Sequence, residues 1–146
     1  MKRFRFPLEK VLEVREYYER IAEMKLATAA GTCALLERTL VENARATRDA
    51  ARQRFGPGRD LVDMQTAELY ALRLSAERER TLKALAFAEV EREKARQGYI
   101  AASKETKLIS KLRERGEAEY YRNAVREEVK VLDDLSRAGK NIGRDE

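Results

Sequence analysis

Histidine and tryptophan are missing from this 146-residue chain, cysteine occurs once and proline twice. With no histidine and a lone Cys33, no Cys/His metal site can be assembled and no disulfide can close within the chain. Cys33 lies between Ala29 and Leu36 on an apolar stripe, so a buried thiol behaving as a small hydrophobe is expected rather than a reactive one. No apolar run approaches the roughly 18 residues needed to span a bilayer, and no signal-peptide core follows Lys2-Arg3-Phe4-Arg5. A cytoplasmic protein is therefore expected. No glycine-rich phosphate loop and no organised nucleophile is visible. Carboxylates at this density on helices read as surface charge, so neither catalytic residues nor a cofactor or metal site is expected.

What is present is charge and helix formers. Charged residues make up 39% of the chain, against about a quarter in ordinary soluble proteins. Ala, Glu, Lys, Leu and Arg together exceed half of it, the composition of coiled coils and long helices. The net charge is +5, but 31 bases are interleaved with 26 acids. Such interleaving makes a solvated, salt-bridged face rather than a nucleic-acid site.

The break Phe55-Gly56-Pro57-Gly58-Arg59-Asp60 joins a residue that cannot continue a helix to two that suit turn conformations. Asp60 can cap a second helix, and Asp63 sits in its first turn, where the helix dipole favours an acid. The fold class expected is all-α, a long antiparallel two-helix coiled coil whose second helix is the longer. Helix one is expected over about 7–54, the hinge over 55–60, helix two over about 60–138 and a loose tail over 139–146.

In helix one an apolar or small stripe runs Val11, Val14, Tyr18, Ala22, Leu26, Ala29, Cys33, Leu36, Leu40. Its two consecutive extra steps of four near Tyr18–Leu26 resemble a stutter. In helix two Leu61, Met64, Ala71, Leu82, Leu85, Tyr99 and Ile109 recur at mixed heptad spacings. Pro7 fits the first helical position, where its missing N–H costs nothing. Ahead of it, Phe4 and Phe6 alternate with Lys2, Arg3 and Arg5. Two readings of this arm stand side by side: an end packed over the first turn, or an aromatic, cationic hook for a protein or membrane surface.

Folding back at the hinge predicts that residues whose numbers sum to about 114 face each other. Arg45, Arg48 and Arg52 would then meet Glu68 and Asp63, although the same cluster also suits a phosphate-binding tip. Gly98 would lie near Glu16–Tyr18, its missing side chain admitting a tyrosine. Helix one would reach back only to about Thr106. Lys107–Arg137 would be left as an amphipathic overhang, with Leu108, Leu112, Tyr121, Val125, Leu132 and Leu135 near helical spacing. An uncovered apolar face is an interaction surface, for a partner or for a second copy.

Both ends carry a further signal. Phe4-Arg5-Phe6-Pro7-Leu8-Glu9-Lys10-Val11-Leu12-Glu13-Val14-Arg15 resembles the opening of the FliJ family of flagellar type III export proteins, an aromatic arm followed by a Leu-x-x-x-Leu-x-x-Arg helix. Lys107-Leu108-Ile109-Ser110-Lys111-Leu112-Arg113-Glu114-Arg115, with Glu119-Tyr120-Tyr121-Arg122, Arg126-Glu127-Glu128 and Leu132-Asp133-Asp134, resembles that family's C-terminal signature. Ser110 stands where the family has a glutamate before Lys-Leu.

The resemblance implies a non-enzymatic subunit similar to the stalk of rotary ATPases, working without a cofactor, a nucleic acid or a small-molecule substrate. It implies three partners: the hexameric flagellar export ATPase, a membrane export gate protein and export chaperones. It also implies a place at the flagellar base, peripheral to the inner membrane. By position it nominates Arg15, Tyr18 and Glu19, with Phe4, Phe6 and Leu8, for the gate. For the ATPase ring it nominates Leu108, Leu112, Tyr121, Arg122, Val125 and Arg126. A self-associating coiled-coil scaffold is the alternative function, and a basic nucleic-acid binder a third.

Overall fold

The computed structural model describes residues 3–54 and 56–142, with side chains through residue 137. Phe55 at the start of the hinge, Met1 and Lys2 of the arm, and the last four residues of the expected tail lie outside the described residues. Two helices make up the fold: α1, Glu9–Gln53, and α2, Leu61–Ile142. They pack against each other as a helical hairpin with the second helix the longer, and no strand occurs among the described residues. By its internal contacts the chain divides into two compact units. One combines residues up to Glu19 with those from Ala102 onward, and the other is Arg20–Ala101.

The helices form because alanine, leucine and the long charged residues lose little on entering one, and because both prolines stand outside them. Threonines inside the helices turn their hydroxyls back onto carbonyls one turn earlier, as Thr28 does to Met24 and Thr81 to Glu77. At the start of α1, the Glu9 N–H donates to the Phe6 carbonyl at 3.3 Å and the Leu12 N–H to the Leu8 carbonyl at 2.9 Å. Pro7 therefore occupies the second position of a Phe6–Glu9 turn, which its fixed φ suits, instead of the first helical position.

Arg20–Ala101 contains the tip. After Gln53 the chain turns through Gly56, Pro57 and Gly58, and Gly58 has a φ of 85°, which a residue with a Cβ enters only at a cost. A reciprocal cap then starts α2. The Asp60 carboxylate accepts from the Leu61 N–H at 2.7 Å, and the Asp60 N–H donates to the Asp63 carboxylate at 3.4 Å. Asp63 is thus engaged in the cap. Arg54, and not the Arg45, Arg48 and Arg52 cluster, makes the cross-helix ion pair with Glu68. Those three arginines stay exposed, without a salt bridge among the described residues.

The buried line in this unit is made largely of small side chains. On α1 it follows Ala22, Leu26, Ala29, Cys33, Leu36, Leu40 and Asn43, alternating steps of four and three; on α2 it follows Ala67, Ala71, Leu74, Thr81, Leu85, Ala88, Ala95 and Tyr99. Cys33 is 1% exposed. Leu61, Met64 and Leu82, expected on the seam, are exposed instead. Asn43 Nδ2 donates to the Leu74 carbonyl across the helices at 3.0 Å. A Cβ at Gly98 would meet nothing within 4 Å, so no tyrosine is seated there.

In the other unit Leu12 is the buried anchor of α1, 3% exposed, and Ser103 and Thr106 are buried on α2. Val11, Val14 and Tyr18 are exposed, while Arg15 and Glu19 are half-buried. The half-buried and buried positions of α1 therefore keep the heptad rhythm through Leu12, Arg15, Glu19 and Ala22, and there is no stutter. Two charged residues occupy seam positions that hydrophobicity assigned to neighbours one residue away. A cross-helix ion pair accompanies the first exchange, Arg15 with Glu105, and a second cross-helix pair joins Glu9 to Arg113 at 3.1 Å. Partners in this unit have numbers summing to about 120–124, and those at the tip to 117 and 122. The expected sum of 114 is corrected upward because α2 starts past the height at which α1 ends, so α1 meets residues further along it.

Candidate partner-binding surfaces

In the unit that joins the two chain ends, the N-terminal arm lies on α2. The Phe4 ring packs against Tyr120 with centroids 5.7 Å apart and planes tilted by 51°, an offset geometry favourable to aromatic pairs. A Cβ built on Gly116 would stand 3.4 Å from the Phe4 ring, so this mid-helix glycine opens the place in which the ring lies. Phe6 is likewise half-buried. The packed-end reading of the arm is the one the geometry matches.

This docking shortens the overhang. The Glu9–Arg113 pair and the Phe4–Tyr120 contact carry the match along α2 well past Thr106. The uncovered part begins near Tyr121 rather than at Lys107. From Val125 to Arg137 every side chain is exposed. Tyr121, Val125, Val129 and Leu132 follow one another at helical spacing, with Leu135 beside them; their exposures run from 47% to 65%. Arg122, Arg126 and Lys130, four residues apart, form a basic stripe about 100° round the helix. The result is an amphipathic terminal segment with a bare apolar face.

The nominated residues do not form two clean sets. Of the six assigned to the ring, Leu108, Leu112, Arg122 and Arg126 share one helix face. Tyr121 and Val125 lie roughly a third of a turn away. All six are exposed, and Leu108 and Leu112 point away from the seam that Thr106 and Ile109 occupy. Of the six assigned to the gate, Tyr18 is exposed with its ring against Tyr17, and Leu8 is also exposed. Phe4, Phe6, Arg15 and Glu19 are half-buried, and Phe4 and Arg15 have partners within the chain.

The sequence pattern does not single out Val129 on the bare face, or Glu9, Glu105 and Arg113, which clamp the chain ends. Their opposite charges at a common register sum were the available signal, hidden by the wrong sum. Tyr120, read only as part of a motif, is the platform for Phe4.

Electrostatic perturbation lies elsewhere and is local. Glu93 is held below the usual carboxylate range chiefly because the Gln97 amide donates to it, with Arg96 adding to the effect. Arg73 is raised by its hydrogen bond to Glu77 in the same helix. No cluster of acidic, histidine or cysteine side chains that could hold a metal ion occurs among the described residues, and no helix there is long and apolar enough to cross a membrane.

These elements define a class: a coiled-coil hairpin protein whose longer helix ends in a bare amphipathic face beside a docked aromatic arm. Within that class, the description of the flagellar FliJ protein family matches residues 4–139, nearly the whole chain. The chain belongs to that family, as its two end motifs anticipated, and is accordingly a component of the flagellar export apparatus. Comparisons with curated proteins and with solved structures give no match.

Proposed function

We propose that this protein is a non-enzymatic, stalk-like element of the export apparatus that grips the hexameric export ATPase with the end of α2. In the same reading it touches a membrane export gate protein from the start of α1 and escorts export chaperones. The observation that carries the reading is the apolar face from Tyr121 to Leu135, uncovered beside a basic stripe. An amphipathic helix with nothing of its own to cover it is suited to a groove on another protein. A supercoiled pair of helices is also stiff enough to convey position along its length. The gate contact falls on Tyr18 and Leu8, since Phe4 and Arg15 are engaged inside the chain.

Replacing Val125 and Leu132 together by aspartate tests the ring contact. Both side chains are exposed, so helix content should be unchanged while co-sedimentation with the cognate export ATPase is lost. Undiminished co-sedimentation would remove the ATPase assignment. The same face also favours a self-associating scaffold; mass by light scattering that rises with concentration, and falls back in the double variant, would support that instead.

A further inference from the structure

Residues 20–38 of α1, all within Arg20–Ala101, carry a second apolar stripe that is exposed at every position but the half-buried Ile21. Ile21, Met24, Thr28, Gly31 and Leu35 follow one another in steps of three, four, three and four, the spacing of a coiled-coil seam. This stripe lies roughly 140° around the helix from the seam formed by Ala22, Leu26, Ala29, Cys33 and Leu36. Met24 is 69% and Leu35 64% exposed. Ile21, Met24, Lys25, Thr28 and Ala29 line a shallow depression. The Thr28 hydroxyl is turned onto the Met24 carbonyl at 2.9 Å, so its methyl group remains for packing. A Cβ at Gly31 would meet nothing within 4 Å, leaving a notch where another backbone can approach. Ordinary solvated helix faces scatter their apolar residues; an exposed one that keeps heptad spacing over two turns and more is built to receive a helix.

Charge selects which helix. Arg20 and Arg38 border the stripe on one side and Lys25 on the other, while the acids of the same stretch, Glu23 and Glu37, lie toward the far side. No salt bridge occupies these three bases among the described residues. A second copy docking through the same stripe would set bases against bases, which opposes pairing. We propose that residues 20–38 are a docking stripe for an amphipathic helix of a partner protein, with aliphatic residues at heptad positions and Asp or Glu at the flanking ones. The result would be a local three-helix layer, distinct from the surfaces assigned to the ATPase and the gate.

The full-length protein can be titrated by fluorescence anisotropy with a labelled synthetic helix carrying Leu and Ile at heptad positions and Glu at the flanks. A version with Lys at the flanks and a scrambled version serve as controls. The Glu-flanked peptide should bind, weaken several-fold between about 50 and 300 mM salt, and lose about tenfold or more in affinity to Met24→Asp and to Leu35→Asp. The Lys-flanked and scrambled peptides should not bind. Both substitutions are at exposed positions, and unchanged circular dichroism would show that the fold persists. Equal binding of the two flank types, or binding that ignores both substitutions, would overturn the proposal. So would a stripe that instead supports self-association abolished by Met24→Asp, or binding to acidic lipid vesicles with no binding to the peptide.

Discussion

Replacing Asn43 by leucine should stabilise this protein, although it removes the cross-helix hydrogen bond at the tip. Asn43 is buried at a seam position, where Nδ2 donates to the Leu74 carbonyl at 3.0 Å while Oδ1 is buried with no partner. The bond contributes about 0.5–1.5 kcal/mol net, whereas a buried unsatisfied acceptor costs about 1–3 kcal/mol. Leu74 lies inside α2, so its carbonyl keeps a helical partner when the asparagine is gone. The neighbouring open groove, lined by Leu40, Ala44, Ala71 and Leu82 among others, has room for leucine's branch. The balance favours leucine by about 1–2 kcal/mol. At about 2–4 °C per kcal/mol for a chain of this size, thermal melting monitored by helical circular dichroism should move up by several degrees. A second readout should move the other way. A polar residue bonded across a coiled-coil seam helps to hold register, so the variant's amide NMR spectrum should show additional peaks from slipped pairings. A fall in Tm would refute the reasoning, because it would mean that both polar atoms of Asn43 are satisfied in solution.

Local geometry sets three further outcomes. Phe4→Ala should lower stability by about 1–2 kcal/mol, from the lost aromatic pair with Tyr120 and the exposed half-buried surface, and should speed proteolysis of the N-terminal arm; unchanged cleavage would mean the arm is not docked. Gly98→Ala, in open space within α2, should raise stability by about 1 kcal/mol, whereas Gly58→Ala, forced to a φ of 85°, should lower it by about 1–2 kcal/mol; denaturant melts of the pair decide both signs. Glu93 should titrate below the ordinary carboxylate value of about 4.3. Its depressed folded value means that any stabilisation is present above that ordinary value and is lost as pH falls through the lowered one. Gln97→Ala should bring the midpoint up in a carboxyl-carbon NMR titration, and an unmoved midpoint would remove Gln97 as the cause.

The places where the fold departs from the hydrophobic pattern share a cause. Hydrophobicity nominates Val11, Val14, Tyr18 and Leu82 as seam residues, yet these are exposed, and buried or half-buried places are held by Arg15, Glu19, Thr81, Ser103 and Thr106. Small and charged side chains give a weak apolar signal, and they suit a seam only when something across it accepts them. Arg15 belongs there because Glu105 stands opposite, a fact no local pattern contains. The register sum differs from twice the turn's midpoint for a related reason: the offset between helices at a tip depends on how the loop delivers the chain to the cap at Asp60. From that offset came the misplaced start of the overhang and the unmet arginine cluster.

What the sequence alone determined was everything that depends on neighbours within a turn or two. Helix formers without interior proline made two long helices, Gly-Pro-Gly with Asp60 and Asp63 made the turn and its cap, and the end motifs marked the family. Tertiary structure decided which face of each helix is buried, how far α1 and its arm run along α2, and therefore which part of α2 is left bare. The physical reason is that burial on a two-helix seam is a property of pairs. A side chain's place there is set by what stands opposite, and opposition becomes legible only when the chain has folded back.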